Sequence, residues 1–398
     1  MKILHIITSL RTGGAERLVA ELARRHAGGR FLDFARNDKG DARNDNGPAN
    51  GDEVEVLLFD GTRTPLVEEL EKGGIPVHSL GKGFSAMTNP LLLPALSRFL
   101  RKHKVDIVHT HNTSCQILTA MVPALTRVTT EHGTINRRRN WRWFRPVDRW
   151  MYGRYERIAC VGEETRRTLS AWLERPELDA RMTVIPNGID LQRIASATPA
   201  EALAKQGGFK ILMVSAFRPE KDQQTLIRAF QLLPNNYQLF LAGGTETPEN
   251  QRIMDECQAL AKELGVNDRI RFLGVRADVP NLLAAADVIV LSSKHEGMSL
   301  SVLEGMASGK PMIASDVEGM RELVSNAGLL FPQGDAEALA ALIRGVCEDS
   351  EKAQEIGRKC RERAMLYDIA ETAKRYHLLY EEILAGTDAA TGAPKNRR

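Results

Sequence analysis

The chain has 398 residues, enough for two domains with separate cores, and its 43% hydrophobic and 26% charged content is that of an ordinary globular protein. A net charge of +3 is too small to mark a nucleic-acid protein, and five cysteines without a CxxC pair form neither a disulfide framework nor a metal-ligand spacing, which points to a reduced, cytoplasmic setting. Met1-Lys2 leads straight into an apolar run, so no signal peptide is expected, and no apolar stretch approaches the roughly 18 residues that span a bilayer.

Lys2-Ile3-Leu4-His5-Ile6-Ile7-Thr8 reads as the first strand, followed by a loop through Gly13-Gly14 and a helix from Ala15 to Ala23. The glycine pair lets backbone approach a ligand closely, but it is not GxGxxG, so the dinucleotide fingerprint fails. Residues 27–51 break the pattern. Ala35-Arg36-Asn37-Asp38 recurs as Ala42-Arg43-Asn44-Asp45 amid Gly, Asn and Asp, which predicts a disordered insertion in a surface loop. The alternation then resumes. Strands are expected near Val54–Phe59, Ile75–Leu80, Val105–His109 and Arg127–Glu131, with helices over Leu91–His103 and Thr113–Leu125. Such alternation predicts a parallel sheet with helices on both faces. His109, His111 and His132 fall at strand ends, where open α/β sheets bind ligands. Zinc is not expected there, because there is no HExxH and the three lie on two different strands.

Arg137 to Arg157 is the most basic part of the chain. Arginines interleaved with Trp141, Trp143, Phe144 and Trp150 predict contact between Arg137–Tyr152 and an anionic membrane surface or a lipid-linked acceptor. No nucleic-acid motif accompanies them, so nucleic acid is not an expected partner. After a strand at Arg157–Val161 and a helix from Glu163 to Leu173, the turn-forming Asn187-Gly188 closes the first domain near Asp190. Residues 194–208 read as connector before Phe209–Val214 opens a second α/β domain.

In that domain Ala286–Leu291 is a buried strand, and Pro311–Ala314 is another. Between them Leu300, Leu303, Met306 and Ala307 recur at helical spacing, with Ser299 as N-cap and Gly309 and Pro311 as stop signals. The amides of Met298, Ser299 and Leu300 would lie at a helix N-terminus just past a strand's carboxyl end, a ready anion site. Glu296 and Glu304 flank it, eight residues apart. Eight helical residues span about 12 Å, whereas a hydrolase carboxylate pair needs about 5–9.5 Å. The two are therefore read as gripping opposite ends of a ligand with an anionic middle, the layout of a nucleotide sugar. The absence of an Asp-x-Asp motif argues against a metal-held diphosphate. A final helix over Asp368–Leu384 presents Ile369, Ala373, Tyr376, Tyr380 and Ile383 on one face.

The Glu-Gly-Met-Ser-Leu turn between the two glutamates, with Gly-Gly-Ala-Glu after the first strand, resembles the retaining glycosyltransferases of family four, which have the GT-B fold. The resemblance implies two Rossmann-like domains facing each other across a cleft. Residues 1–190 would bind the acceptor and 191–366 the nucleotide sugar. Residues 367–386 would cross back to the N-terminal domain, and 387–398 would be a disordered tail. Glu296 would contact the donor sugar and Glu304 the ribose, with the amides of Met298, Ser299 and Leu300 on sugar and diphosphate. Gly14 would lie beneath the donor phosphates, and His132 near sugar and acceptor. Lys221 matches the family lysine that neutralises the leaving diphosphate. The family's preceding Gly-Arg is replaced by Ser215-Ala216, and its second Gly by Asp222, which makes Arg218 the candidate substitute cation. The implied activity is transfer of a sugar, with retention, from a nucleotide diphosphate sugar (a UDP-sugar) to a carbohydrate or lipid-linked acceptor in cell-surface polysaccharide or glycolipid synthesis. No metal or further cofactor is expected. The setting is cytoplasmic, peripheral at the inner face of the membrane. Two rivals are an epimerase of the same fold, which would turn over donor alone, and a non-catalytic nucleotide-sugar binder, made conceivable by Ala216.

Overall fold

Short runs of Val, Ile and Leu set two parallel sheets, one in each of two compact units. The computed structural model describes residues 1–11, 13–28, 51–81, 89, 91–204 and 207–386, so most of the 27–51 segment and all of the 387–398 tail lie outside the described residues. The first unit comprises Met1–Asn187 together with the chain from Ile369 onward; the second is Gly188–Asp368.

The first sheet contains β1 (Lys2–Ile7), β2 (Glu53–Leu58), β3 (Val77–Ser79), β4 (Ile107–Thr110), β5 (Arg127–Glu131), β6 (Arg157–Cys160) and β7 (Met182–Val184). Its order is β3-β2-β1-β4-β5-β6-β7, parallel throughout. Strand alternation divides the core. Ile3 and Ile7 pack with helices Gly14–Ala27 and Ile369–Ala385, while Leu4 and Ile6 pack with helix Leu92–His103. The C-terminal helix returns to this unit and buries Ile369, Tyr376, Leu379 and Tyr380. Each large side chain is worth about 1.5–3 kcal/mol on burial, enough to anchor the helix. Polar bonds fix its register: Tyr380 OH lies 2.6 Å from His109 Nδ1, and Tyr376 OH 2.9 Å from Thr130 Oγ1.

The second sheet contains β8 (Phe209–Val214), β9 (Tyr237–Ala242), β10 (Ile270–Gly274), β11 (Val288–Leu291), β12 (Met312–Ser315) and β13 (Leu329–Phe331), in the order β10-β9-β8-β11-β12-β13. In both sheets the chain reverses direction of travel across the sheet. The reversal lies between β1 and β4 in one unit and between β8 and β11 in the other. Such switch points open a crevice at the carboxyl ends of the two strands concerned.

Two local expectations change. The helix from Thr113 ends at Met121, not Leu125, because Pro123 forces Val122 into extended backbone (φ −83°, ψ 124°). The 194–208 connector holds helical turns, Leu191–Ala195 running into it and Glu201–Ala204 within it.

Candidate active site

The switch point of the second unit is lined by the loops after β8 and β11. After β8, Pro219 starts a 3-10 turn, Pro219–Lys221, and Asp222 then takes left-handed backbone (φ 49°, ψ 46°) before helix Gln223–Gln231. Asp is among the few residues other than glycine that adopt this conformation readily. Its carboxylate accepts a 2.8 Å bond from Thr225 Oγ1, which secures the turn where the family pattern has glycine.

Lys221 Nζ forms a close ion pair with Glu296 Oε1, although the two lie 75 residues apart. Three consecutive residues after β11 hold this pair. Ser293 Oγ donates to Glu296 Oε1 at 2.7 Å. Ser292 Oγ donates to the carbonyls of Asp222 at 2.9 Å and Lys221 at 3.3 Å. Lys294 N donates to the carbonyl of Glu220 at 2.8 Å. Ser315 Oγ, at the end of β12, closes the arrangement by donating to the Ser293 carbonyl. All three serines are fully buried. They were not foreseen; the only sequence signal was a Ser-Ser pair at a strand end. Gly319 is required beside them, since a Cβ there would lie 2.3 Å from the Glu296 carbonyl oxygen.

Beyond Glu296 the chain turns through Met298 into helix Leu300–Ala307. Ser299 occupies the N-cap with extended backbone, but its hydroxyl makes no capping bond. With the N-cap at Ser299 as expected, the amides of Leu300, Ser301 and Val302 in the first turn have no intrahelical partner, and Met298 and Ser299 lead directly into it. Glu304 is buried one turn further along the same helix. Arg218 is exposed, with no ion pair among the described residues. It is the N-cap of the 3-10 turn, with extended backbone (φ −131°, ψ 151°), three residues before Lys221. Lys221, Glu296, Arg218 and the 298–304 segment are thus assembled in one unit.

Gly14 and His132 belong to the other unit. Gly14 is the exposed first residue of helix Gly14–Ala27, past the carboxyl end of β1. His132 follows β5 directly. Burial lowers its pKa to about 4, against a smaller opposing influence of Glu131, so the imidazole is neutral at pH 7. Its Nε2 is buried and has no hydrogen-bond partner among the described residues. Next to it lies a file of imidazoles: His132 is 5.7 Å from His111, and His111 is 4.0 Å from His109 and 5.3 Å from His5, centroid to centroid. His5 is pushed by burial to about 3, and His109 and His111 well below their ordinary value.

Among the described residues, two trios have ligand atoms within 4.8 Å of one another, His5–His109–His111 and Glu55–His78–His103. In the first, His109 already bonds Tyr380 OH and Thr130 Oγ1 (2.8 Å), and His5 Nδ1 shares a 3.0 Å bond with His111 Nε2. In the second, both imidazoles bond the same Glu55 oxygen, and Lys2 Nζ pairs with the other at 2.7 Å. Hydrogen bonding among the chain's own groups accounts for the second trio, whereas in the first His5 Nε2 and His111 Nδ1 are buried without a partner among the described residues.

The basic stretch is built differently from its sequence reading. Arg138 and Arg139 point inward. Arg138 Nε donates to the buried Asp148 at 2.8 Å, and Arg139 pairs with Glu131 at 3.0 Å, which also accepts from Tyr152 OH. Burial by itself would raise the Glu131 pKa, but Arg139 and Arg138 bring it below the usual value. These arginines are core ion pairs, because the strand end at Glu131 and the helix bearing Asp148 bring carboxylates to them.

Two parallel-sheet Rossmann-like units, each with a switch point at its carboxyl edge, make the GT-B architecture. The family model for glycosyl transferases group 1 matches residues 196–363, and that for glycosyltransferase family 4 matches residues 46–193; the chain belongs to this family. It is 28% identical over 353 residues to the putative glycosyltransferase EpsD of Bacillus subtilis (strain 168), covering 83% of this chain and 89% of that one. It is also 28% identical over 285 residues to the UDP-Gal:alpha-D-GlcNAc-diphosphoundecaprenol alpha-1,3-galactosyltransferase of Escherichia coli, covering 67% and 73%. The fold matches the crystal structure of Anabaena HepE in complex with UDP and glucose, with a TM-score of 0.80 at 22% identity over 96% of this chain and 100% of that chain.

Proposed function

We propose that the protein transfers a sugar from a UDP-sugar, with retention and without a metal, to a lipid-linked acceptor in cell-surface polysaccharide or glycolipid synthesis. It would work in the cytoplasm at the inner face of the membrane. The observation that carries the reading is the Lys221–Glu296 pair at the second unit's switch point, beside the N-terminus of helix Leu300–Ala307. A cation and first-turn amides suit a diphosphate, and a carboxylate suits sugar hydroxyls. The UDP-containing neighbour and the diphosphoundecaprenol-linked relative support the donor and acceptor classes.

In this mechanism Lys221, Arg218 and the helix amides stabilise charge developing on the departing diphosphate. Donor arrival splits the resting ion pair: Lys221 turns to phosphate, and Ser293 keeps Glu296 in place for the sugar. Glu304 holds the ribose, and Gly14 admits the diphosphate to close approach. His132, neutral at pH 7, offers a hydrogen bond on the acceptor side. No side chain serves as a covalent nucleophile; the departing phosphate takes the acceptor's proton on the same face.

Calorimetry of UDP against two variants tests the division of labour. Glu304→Ala should weaken UDP about ten- to hundredfold, as expected for loss of a charge-assisted bond of roughly 1.5–3 kcal/mol. Glu296→Ala should bind UDP nearly normally and instead lower the rate at saturating donor. Equal weakening in both would sink the assignment, and no weakening in either would sink the site. Retention is read from the anomeric configuration of the product, metal independence from turnover in chelator, and a donor-only product would identify an epimerase instead.

A further inference from the structure

Three of the chain's four tryptophans stand on the surface within ten residues of one another: Trp141 is 56% exposed, Trp143 67% and Trp150 44%. The fourth shows what a satisfied indole looks like in this protein. Trp172 donates its N–H to Asp148 at 2.8 Å and lies 4.9 Å beneath the Arg145 guanidinium. The three exposed indoles have no such hydrogen-bond partner among the described residues.

They form one face. Trp141 and Trp143 are near-parallel, with ring centroids 6.2 Å apart, and Phe144 is buried beneath as an anchor. Helix Arg145–Tyr152 turns Asp148, Met151 and Tyr152 inward, leaving Val147 and Trp150 on its outer side, one turn apart. The face is also cationic at its margin. Between His132 and Tyr155 the only acidic residue is Asp148, which is buried and engaged by Arg138 and Trp172. Arg142 and Arg154 remain exposed, Arg154 lying 5.9 Å from the Trp150 ring centroid.

We propose that this face inserts into the headgroup boundary of a lipid bilayer, docking the first unit on the membrane by its indoles rather than by the arginine cluster. Indoles favour the layer where a ring can be apolar on one side and hydrogen-bonded on the other. A handful of side chains over two helical turns is far smaller than the roughly 20–30 residues a side of a stable protein interface, so a second copy or a globular partner is poorly served. A bilayer has no such minimum, and an anionic one complements Arg142 and Arg154. The face grows out of the loop that begins at His132, so docking would bring lipid-borne acceptors to that edge of the unit. This last step rests on the proposed function; the insertion itself does not.

The full chain is tested against vesicles whose lipid chains carry bromine, with intrinsic tryptophan fluorescence as the readout. Insertion gives a blue shift and quenching on zwitterionic as well as anionic vesicles, largely retained in high salt. Trp141→Ser with Trp143→Ser and Trp150→Ser lowers vesicle partition by about tenfold or more, with far-UV circular dichroism and UDP affinity unchanged. Binding to anionic vesicles alone, abolished by salt and without quenching, would overturn insertion in favour of electrostatic adsorption. A blue shift that follows protein concentration without lipid, with dimers in sedimentation, would overturn it in favour of a second copy. No response to vesicles with intact UDP binding overturns this proposal alone, whereas vesicle insertion without UDP binding overturns the donor reading alone.

Discussion

The two units share an architecture, a parallel sheet with a switch point at its carboxyl edge, and differ in what lines that edge. In the second unit the edge is charged. Lys221 and Glu296 pair there, and Arg218 stands three residues before Lys221. In the first unit the charge near that edge is locked in the buried Glu131–Arg139 pair, and the imidazoles behind it are neutral. His132, His111, His109 and His5 are all held uncharged, chiefly by burial. The difference follows from the strands. Small serines end β11 and β12 and leave room for long charged side chains with hydroxyl support, whereas bulky imidazoles fill β1, β4 and the loops beyond and exclude water. A charged edge suits an anionic donor, and a file of neutral hydrogen-bonding rings suits a sugar hydroxyl.

The largest expected effect is acid lability confined to the first unit. His5, His26, His109, His111 and His132 have folded pKa values below the ordinary 6.5, with burial the leading cause in each. Below pH about 6.5 the unfolded chain takes up protons that the fold refuses. Stability is therefore complete above that pH and is lost as pH falls toward the folded values, about 3 for His5 and about 4 for His26 and His132. Each imidazole contributes a slope of about 1.4 kcal/mol per pH unit in that window, so several together are decisive. Hydrogen exchange followed by mass spectrometry between pH 7 and about 4.5 should show peptides of the first unit losing protection before those of the second. Simultaneous loss would break the comparison.

Next in size is Lys221→Ala, which removes the pivotal cation of the charged edge. A fall in kcat/KM of about 10²–10³-fold is expected, as for loss of one preorganised donor to developing oxyanion charge. Steady-state kinetics with a competent acceptor measure it, and a change under threefold would mean that the edge's charge is not used. Arg218→Ala should cost less, about five- to tenfold in donor KM, because an exposed guanidinium is screened by solvent. Restoring charge two residues earlier, Ala216→Arg in the Arg218→Ala background, should recover most of it; no recovery would show that Arg218 is not the substitute. The smallest effect belongs to Ser293→Ala. Loss of one hydrogen bond of about 0.5–1.5 kcal/mol to Glu296 predicts a two- to tenfold drop in kcat with UDP affinity unchanged, and Ser293→Thr should rescue it. Parallel loss of UDP affinity would mean that Ser293 supports the whole loop and not the carboxylate.

What the sequence by itself determined is local and periodic. Apolar runs with period two and helical spacing located the strands and the returning C-terminal helix, and the spacing of Glu296 and Glu304 around an expected helix start marked the segment proposed to hold the donor. These signals are legible because a strand's alternation and a helix's start are decided within a few residues. Tertiary structure decided whatever depended on partners outside the same strand or helix. Ser293 shows its value only when β11 brings it to Glu296, and Glu296 reaches Lys221 across 75 residues. Arg138 and Arg139 have the composition of a membrane patch, yet Asp148 and Glu131 draw them into the core, because a buried carboxylate must be paired. The tryptophans between them, which would ordinarily pack inside, are left outside by the same placement. Sequence composition named the surface stretch, but only the fold decided which of its side chains face outward.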